Sequence, residues 1–155
     1  MLMEMKNLKT YLILLLSVMV FSSCSTDKTM IAKGVNLKKY EYASIVKGQT
    51  LHGTETDIEI EPGIYDAIES TRLQMVGERR VNDLSNEEKG KLVLVKYAAT
   101  SSEQKSSLSV SFEDYMTGKT VVSCRASNRS AFNRQKDVDQ AIRKLRDRII
   151  QVWGR

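Results

Sequence analysis

Residues 108–126 read LSVSFEDYMTGKTVVSCRA and carry the strongest structural pattern of the chain. On both sides of a central turn, apolar side chains alternate with polar ones, which is typical of β-strands with one buried face. Gly118 suits the left-handed position of a three-residue hairpin loop over residues 116–118. Counting outward from that loop predicts three apolar cross-strand pairs: Phe112–Val122, Val110–Cys124 and Leu108–Ala126. Because these residues then share one face, the sequence predicts an antiparallel hairpin that buries Cys124.

Three further segments before the hairpin have the composition of strands. Residues 39–46 alternate and are rich in β-formers, and residues 91–99 are apolar on both faces, which predicts a central strand. Residues 73–81 indicate the end of a helix, a glycine turn and a short strand. Between these segments, Ser85 and Glu88 have the spacing of a capping box, so we expect a short helical turn there.

Two helices are predicted from apolar residues at helical spacing. Pro62 and Gly63 are expected to open the first, because proline is tolerated in a first helical turn. Its apolar stripe consists of Ile64, Ala67, Ile68, Thr71 and Met75. The second is the last element of the chain, with Asp137 as its expected cap and Trp153 packed at the edge of the core. Its stripe consists of Val138, Ala141, Ile142, Leu145, Ile149 and Val152.

Strands grouped between two helices predict an α+β fold. We expect a two-layer sandwich, with a mostly antiparallel sheet of four to five strands and both helices on one face. The opposite face is then expected to carry Ser109, Ser111, Glu113, Val121, Ser123 and Arg125. This flat polar face, with the hairpin tip Tyr115, Met116 and Thr117, is the predicted contact surface for a partner protein, since exposed tyrosine is favoured at interfaces. The alternative is that Tyr115 and Met116 fold back onto their own sheet.

The amino-terminal residues carry the parts of an export signal. Lys6 and Lys9 precede an apolar run of 11 residues, 11–21, and small residues then lead to Cys24. The run is shorter than the about 20 residues of a spanning helix, which disfavours the alternative of an uncleaved anchor. The sequence therefore predicts three segments, namely a signal peptide at 1–23, a flexible tether at 24–36 and a single α+β domain at 37–155.

Small residues followed directly by Cys24 resemble the signal of bacterial lipoproteins, including those of the Bacteroidota. The resemblance implies cleavage after Ser23, a diacylglycerol on the sulfur of Cys24 and an acylated amino group. Several acyl chains would anchor the protein stably to a membrane. Ser25 stands where an aspartate retains lipoproteins in the inner membrane of enteric bacteria. The resemblance therefore implies the outer membrane, and the mixed charges of residues 25–28 favour its periplasmic face.

The chain from Leu73 onward is similar in layout to small domains of outer-membrane accessory lipoproteins. The similar features are the Gly77 helix end, the hairpin and the terminal amphipathic helix. The layout also resembles the amino-terminal domain of the propeller protein of the Tol system. Domains of this kind mostly bind partner proteins, so the resemblance implies a protein-binding or assembly module of the envelope. The sequence leaves the oligomeric state and the identity of the partner open.

The composition argues against several chemistries. The net charge is +5, and it is +4 without residues 1–23, but no arginine-rich stripe with interleaved aromatics occurs, so we expect no nucleic-acid partner. The single histidine, His52, is too few for a zinc site, and neither a phosphate-binding loop nor a nucleophile elbow is present. We therefore expect no catalysis, no cofactor and no metal. If Cys24 is lipidated, Cys124 is left as an unpaired thiol.

Two alternatives from other functional classes follow from the same residues. An envelope hydrolase would use two carboxylates about 5–10 Å apart in a cleft. Glu113 and Asp114 adjoin a hairpin turn, which is a poor place for a cleft. A small-ligand or lipid carrier would instead require an apolar cavity, which a domain of this length can hardly enclose beside a packed core.

Overall fold

The computed structural model describes residues 27–46, 56–102, 105–129 and 134–154. The strands in these ranges are β1 Lys28–Ile31, β2 Tyr42–Ile45, β3 Gln74–Met75, β4 Leu92–Ser102, β5 Lys105–Asp114 and β6 Thr120–Asn128. The α-helices are α1 Thr56–Glu69, α2 Asn86–Gly90 and α3 Arg134–Trp153, and two 3-10 turns span Leu37–Lys39 and Glu78–Asp83.

The strands of the described ranges form one sheet of six in the order β1-β6-β5-β4-β2-β3. β1, β6, β5 and β4 pair antiparallel in that sequence, whereas β2 runs parallel to both β3 and β4. The α+β class is confirmed, and so is a central position for the strand at residues 91–99. A mostly antiparallel sheet of four to five strands is wrong in number and in direction. The parallel pairs arise because the chain leaves β2 through α1 and re-enters beside the same strand, which requires a crossover connection.

The hairpin register agrees with the prediction along most of its length. Leu108 lies opposite Ala126, Val110 opposite Cys124 and Phe112 opposite Val122. The three-residue loop is wrong, because Asp114 bonds to Lys119 across a four-residue turn, with N–H to O=C at 2.9 Å. A β-bulge between Phe112 and Glu113 absorbs the extra residue and restores the register. The bulge also moves Val121 from the polar face, where the sequence placed it, into the core, where it is 4% exposed.

The tether predicted for residues 24–36 contains a strand, which corrects that expectation within the described residues. β1 pairs antiparallel with β6, placing Thr29 opposite Cys124, and Ala32 continues the pairing with a 2.9 Å bond from its N–H to the carbonyl of Val121. β1 is mostly exposed, so its residues do not need the alternating apolar pattern of a strand with one buried face. The ordered domain therefore includes residues before 37.

Helix α1 begins at Thr56, so the predicted start at Pro62 is wrong. Pro62 lies inside the helix, where the lost backbone hydrogen bond and the clash of its ring with the preceding helical turn cost about 3 kcal/mol. Ile60 and Ile64 are both fully buried one turn apart, and burying each isoleucine gains about 1.5–3 kcal/mol, which offsets the proline. The helix ends at Glu69, and Met75 belongs to β3 rather than to the helical stripe.

Helix α3 buries the predicted stripe. Leu145 and Ile149 are fully buried, and Trp153 is 2% exposed against Tyr40 and Phe112. Asp137 does not cap the helix, because it lies within the first turn and accepts a 2.7 Å bond from Asn128 Nδ2. The capping box between Ser85 and Glu88 is present at the start of α2, as predicted.

Helices α1 and α3 pack on each other and on the same side of the sheet. α3 covers β5 and β6, and α1 lies on the side of β3. The helices approach so closely that a Cβ at Gly63 would lie 2.8 Å from Ile142 Cγ2. On the other side, the 3-10 turn Glu78–Asp83 contacts β2. In β4, β5, β6 and β1, every second residue points to the face of the sheet opposite the helices. Most of these residues are half-buried or exposed.

Candidate functional site

The predicted lipidation site lies outside the described residues. Cys24 belongs to the range before residue 27, as does the predicted signal peptide, and His52 falls between β2 and α1 in residues that are likewise not described. Among the described helices, none is long and apolar enough to cross a membrane.

The hairpin tip is held by one buried carboxylate. Asp114 closes β5 and is 4% exposed, and its Oδ1 accepts bonds from the N–H and the hydroxyl of Thr117 at 2.9 and 3.0 Å. Its Oδ2 accepts bonds from Lys39 Nζ and from the hydroxyl of Tyr40, both at 2.8 Å. The turn is thereby fixed to the 3-10 segment Leu37–Lys39. Lys39 and Asp114 are 75 residues apart in the chain.

The electrostatics of this cluster favour an ionised Asp114. Burial opposes ionisation, but the bonds donated by Lys39, Tyr40 and Thr117 outweigh it and hold the pKa of Asp114 below its usual range. The pKa of Lys39 is raised by its bond to Asp114. Burial, together with the same carboxylate, raises the pKa of Tyr40. At neutral pH, Asp114 is therefore ionised while Lys39 and Tyr40 are protonated. These bonds hold the turn in place, and we call Asp114, Lys39, Tyr40 and Thr117 the clamp.

Arg72 braces the other side of the same segment. Its two terminal nitrogens donate to the carbonyls of Tyr40 and Leu37 at 2.6 and 2.7 Å. The guanidinium carbon lies 5.9 Å from the centroid of the Trp153 ring, within the range of a cation–π contact. The end of α3 is thus joined to the hairpin clamp through Trp153 and Tyr40.

The three predicted contact residues are treated differently by the fold. Met116 is 61% exposed at the tip. Thr117 is exposed, but its hydroxyl donates a hydrogen bond to Asp114. Tyr115 is half-buried, and its N–H donates to the carbonyl of Leu92 at 3.1 Å. The structure therefore brings them together on a braced turn, with Met116 as the side chain most available to another molecule.

The open sheet face beside the tip is polar and internally paired. Lys96 Nζ lies 2.6 Å from Glu113 Oε2, and Arg125 Nε donates to Ser107 at 3.2 Å. Three further serines are half-buried on the same face, as the register predicts, namely Ser109, Ser111 and Ser123. Small side chains make this face flat, and paired charges keep it hydrated.

The carboxylates of the predicted hydrolase alternative are not a catalytic pair. Glu113 projects to the open face and meets Lys96, whereas Asp114 projects to the other side and is fully engaged in the clamp. Consecutive strand residues point to opposite faces, so they cannot act on one bond. Within the described part of the chain, no group of three or more His, Cys, Asp or Glu side chains could hold a metal ion.

Cys124 is a buried free thiol, as predicted. Burial raises the pKa of its thiol, although a hydrogen bond with Thr29 and the charge of Arg148 act in the opposite direction. A buried thiol of raised pKa is a poor nucleophile.

Sequence reasoning missed Lys39 and Tyr40 as parts of the clamp and Arg72 as its brace. Lys39 and Tyr40 reach Asp114, and Arg72 reaches the carbonyls of Leu37 and Tyr40, only after folding, and nothing in the local pattern marks these three residues. It also missed Met30 and Ile31, which are 53% and 51% exposed on β1. Two large apolar residues in a short polar segment were the available signal.

A scan of protein-family models finds no match to this chain, and no curated protein matches it. Solved structures do match. The PelC dodecamer from Paraburkholderia phytofirmans aligns with a TM-score of 0.56 at 9% identity, covering 79% of this chain and 97% of that one. A point variant of the same dodecamer, solved in another crystal form, gives the same TM-score and identity, and 98% of its chain is covered. At this identity the likeness shows that the chain shares the fold of the PelC subunit.

Proposed function

We propose that this chain is a lipoprotein of the bacterial envelope, anchored to the periplasmic face of the outer membrane through Cys24, that acts as a protein-binding or assembly module. We propose no catalytic role for it. The signal layout of residues 1–24 supports the anchor.

The observation that carries the binding role is the open sheet face with its braced tip. The face is polar and hydrated, and Met116 is an exposed apolar group on the turn beside it. Because Asp114 holds the turn from inside, the tip is presented without the ordering cost of a mobile loop. These properties suit a docking surface for another protein.

The fold likeness supports assembly as the form of the binding. The proteins that share this fold at a TM-score of 0.56 are described as dodecamers. Closed symmetric assemblies are the usual form of soluble homo-oligomers. We therefore include copies of the chain itself among the partners of this module.

The test is capture by the anchored protein from solubilised envelopes. In the test variant, Tyr115 and Met116 are replaced by serine and Gly118 is kept, so that the left-handed turn position survives. A matched control replaces two exposed residues elsewhere, Arg79 and Arg143. We expect the tip variant to lose specific partners that the wild type and the control both retain, with unchanged circular dichroism.

Equal capture by all three proteins would discard this surface. A hydrolytic activity of the wild type that one carboxylate substitution abolishes would overturn the non-enzymatic role itself.

A further inference from the structure

One lateral edge of the domain is basic and apolar. We define the basic edge as Lys28, Met30, Ile31 and Lys33, all of them exposed. Among the strands of the described ranges, β1 is the terminal one, and since Ala32 bonds to Val121, antiparallel alternation turns the backbone groups of Thr29 and Ile31 away from β6. Exposed strand edges of this kind are commonly protected by a covering element.

A second patch is acidic and lies on helix α1. We define the acidic face by the residues that line a shallow depression there, namely Glu61, Pro62, Tyr65, Asp66 and Glu69. Tyr65 is 36% exposed. Arg146 compensates the charge of Asp66 at 2.9 Å, whereas the bond that Glu61 accepts, at 3.4 Å, comes from the uncharged hydroxyl of Tyr97. Glu61 and Glu69 therefore supply the charge that another molecule would meet.

The two patches lie at opposite lateral ends of the domain. β1 is the outer strand beyond β6, and α3 covers β6 and β5. α1 lies beyond α3 and touches it at Gly63. At 100° per residue, Tyr65 and Glu61 each lie about 160–200° around the helix from Gly63, so they point away from α3 and from β1.

We propose that the basic edge of one copy binds the acidic face of the next copy, head to tail. Lysines meet glutamates, Met30 meets Tyr65, and α1 of the neighbour covers the edge of β1. Because the two surfaces are different and both belong to every copy, the contact is heterologous and closes into a ring if the rotation between copies allows it. This inference rests on the proposed assembly role and is independent of the lipid anchor.

Charge reversal tests the pairing with two variants of the full chain, purified in detergent and measured by native mass spectrometry. Variant one carries Lys28→Glu and Lys33→Glu, and variant two carries Glu61→Lys and Glu69→Lys. Each alone brings like charges together at every contact, so we expect loss of the wild-type oligomer. Mixed together, the acidic edge of variant one meets the basic face of variant two, and the reverse contact is wild type in both surfaces. We expect the mixture to restore an oligomer in which the two variants alternate.

Matched controls reverse exposed charges outside both patches. Lys38→Glu with Arg143→Glu matches variant one, and Asp139→Lys with Asp147→Lys matches variant two. Both controls are expected to keep the wild-type oligomer, and circular dichroism of every variant is expected to match the wild type.

Three results would overturn the proposal. The first is a monomeric wild type, which would leave binding to a different protein intact as the function. The second is an oligomer that survives in either charge variant, which would leave self-assembly intact but place it on other surfaces. The third is a mixture that fails to reassemble although each variant is folded.

Discussion

Replacing Asp114 by alanine tests whether the buried clamp holds the hairpin to the rest of the domain. The substitution removes the acceptor of four hydrogen bonds. Bonds to a charged group are each worth about 1.5–3 kcal/mol, but a simple sum is too large, because water can solvate the exposed groups that are released. Thr117 is exposed and the side chain of Lys39 is 47% exposed, so together they add about 1 kcal/mol.

The larger cost comes from Tyr40. It is 2% exposed, and leaving its hydroxyl without a partner costs about 1–3 kcal/mol. We therefore expect Asp114→Ala to lower the free energy of unfolding by about 2–4 kcal/mol, measured by urea denaturation followed by circular dichroism. As a control, Lys96→Ala removes a surface ion pair with Glu113 and is expected to cost less than about 1 kcal/mol.

The same cluster makes stability depend on pH in a defined direction. The pKa of Asp114 in the folded protein lies below its ordinary value of 3.8, so the folded state favours the ionised form. The stabilisation is fully present well above pH 3.8 and is lost as the pH falls through the folded pKa. Asp114→Asn lacks this dependence, and its deficit relative to wild type is expected to shrink between pH 7 and about pH 3. A loss below about 0.5 kcal/mol for Asp114→Ala, or a pH-independent deficit for Asp114→Asn, would refute the clamp.

Three other predictions concern the anchor and the core. Cys24→Ser is expected to abolish metabolic fatty-acid labelling and membrane association, and persistence of both would exclude this cysteine as the lipid site. Cys124 is expected to resist a bulky maleimide in the native protein and to react after unfolding, and Cys124→Ala is expected to cost about 1 kcal/mol through a small void; ready labelling of the folded protein would contradict its burial. Leu145→Ala is expected to destabilise the protein by about 2–5 kcal/mol in the same denaturation assay, since the side chain is fully buried, and a change below about 0.5 kcal/mol would place it on the wrong face of α3.

The sequence predicts those parts of the fold that are determined by residues close together in the chain. The hairpin register is correct from Phe112 outward, because a one-residue slip would expose every apolar residue of both strands. The apolar stripe of α3 is also correct, because a helix rotated by one residue would expose that stripe to solvent. The error in the turn is confined to the bulge at Val121, which changes the loop length without changing the register further along.

Features that depend on distant segments could not be predicted in this way. β1 becomes a strand because β6 offers it an edge, although residues 28–31 carry no strong pattern of their own. The clamp requires Lys39 and Tyr40 to meet Asp114 across more than seventy residues. α1 extends before Pro62 because the burial of Ile60 and Ile64 together offsets the cost of the proline, and this comparison needs the tertiary packing.

We propose that the hairpin tip and the sheet face beside it dock against another protein. Site-specific photocrosslinking in intact cells tests it most directly, with the crosslinking residue placed at Met116 and, as a control, at Arg143 on the solvent face of α3. We expect discrete crosslinked adducts from position 116 and none from position 143. The masses of the adducts show whether the partner is a second copy or a different protein. Equal or absent adducts at both positions would contradict it.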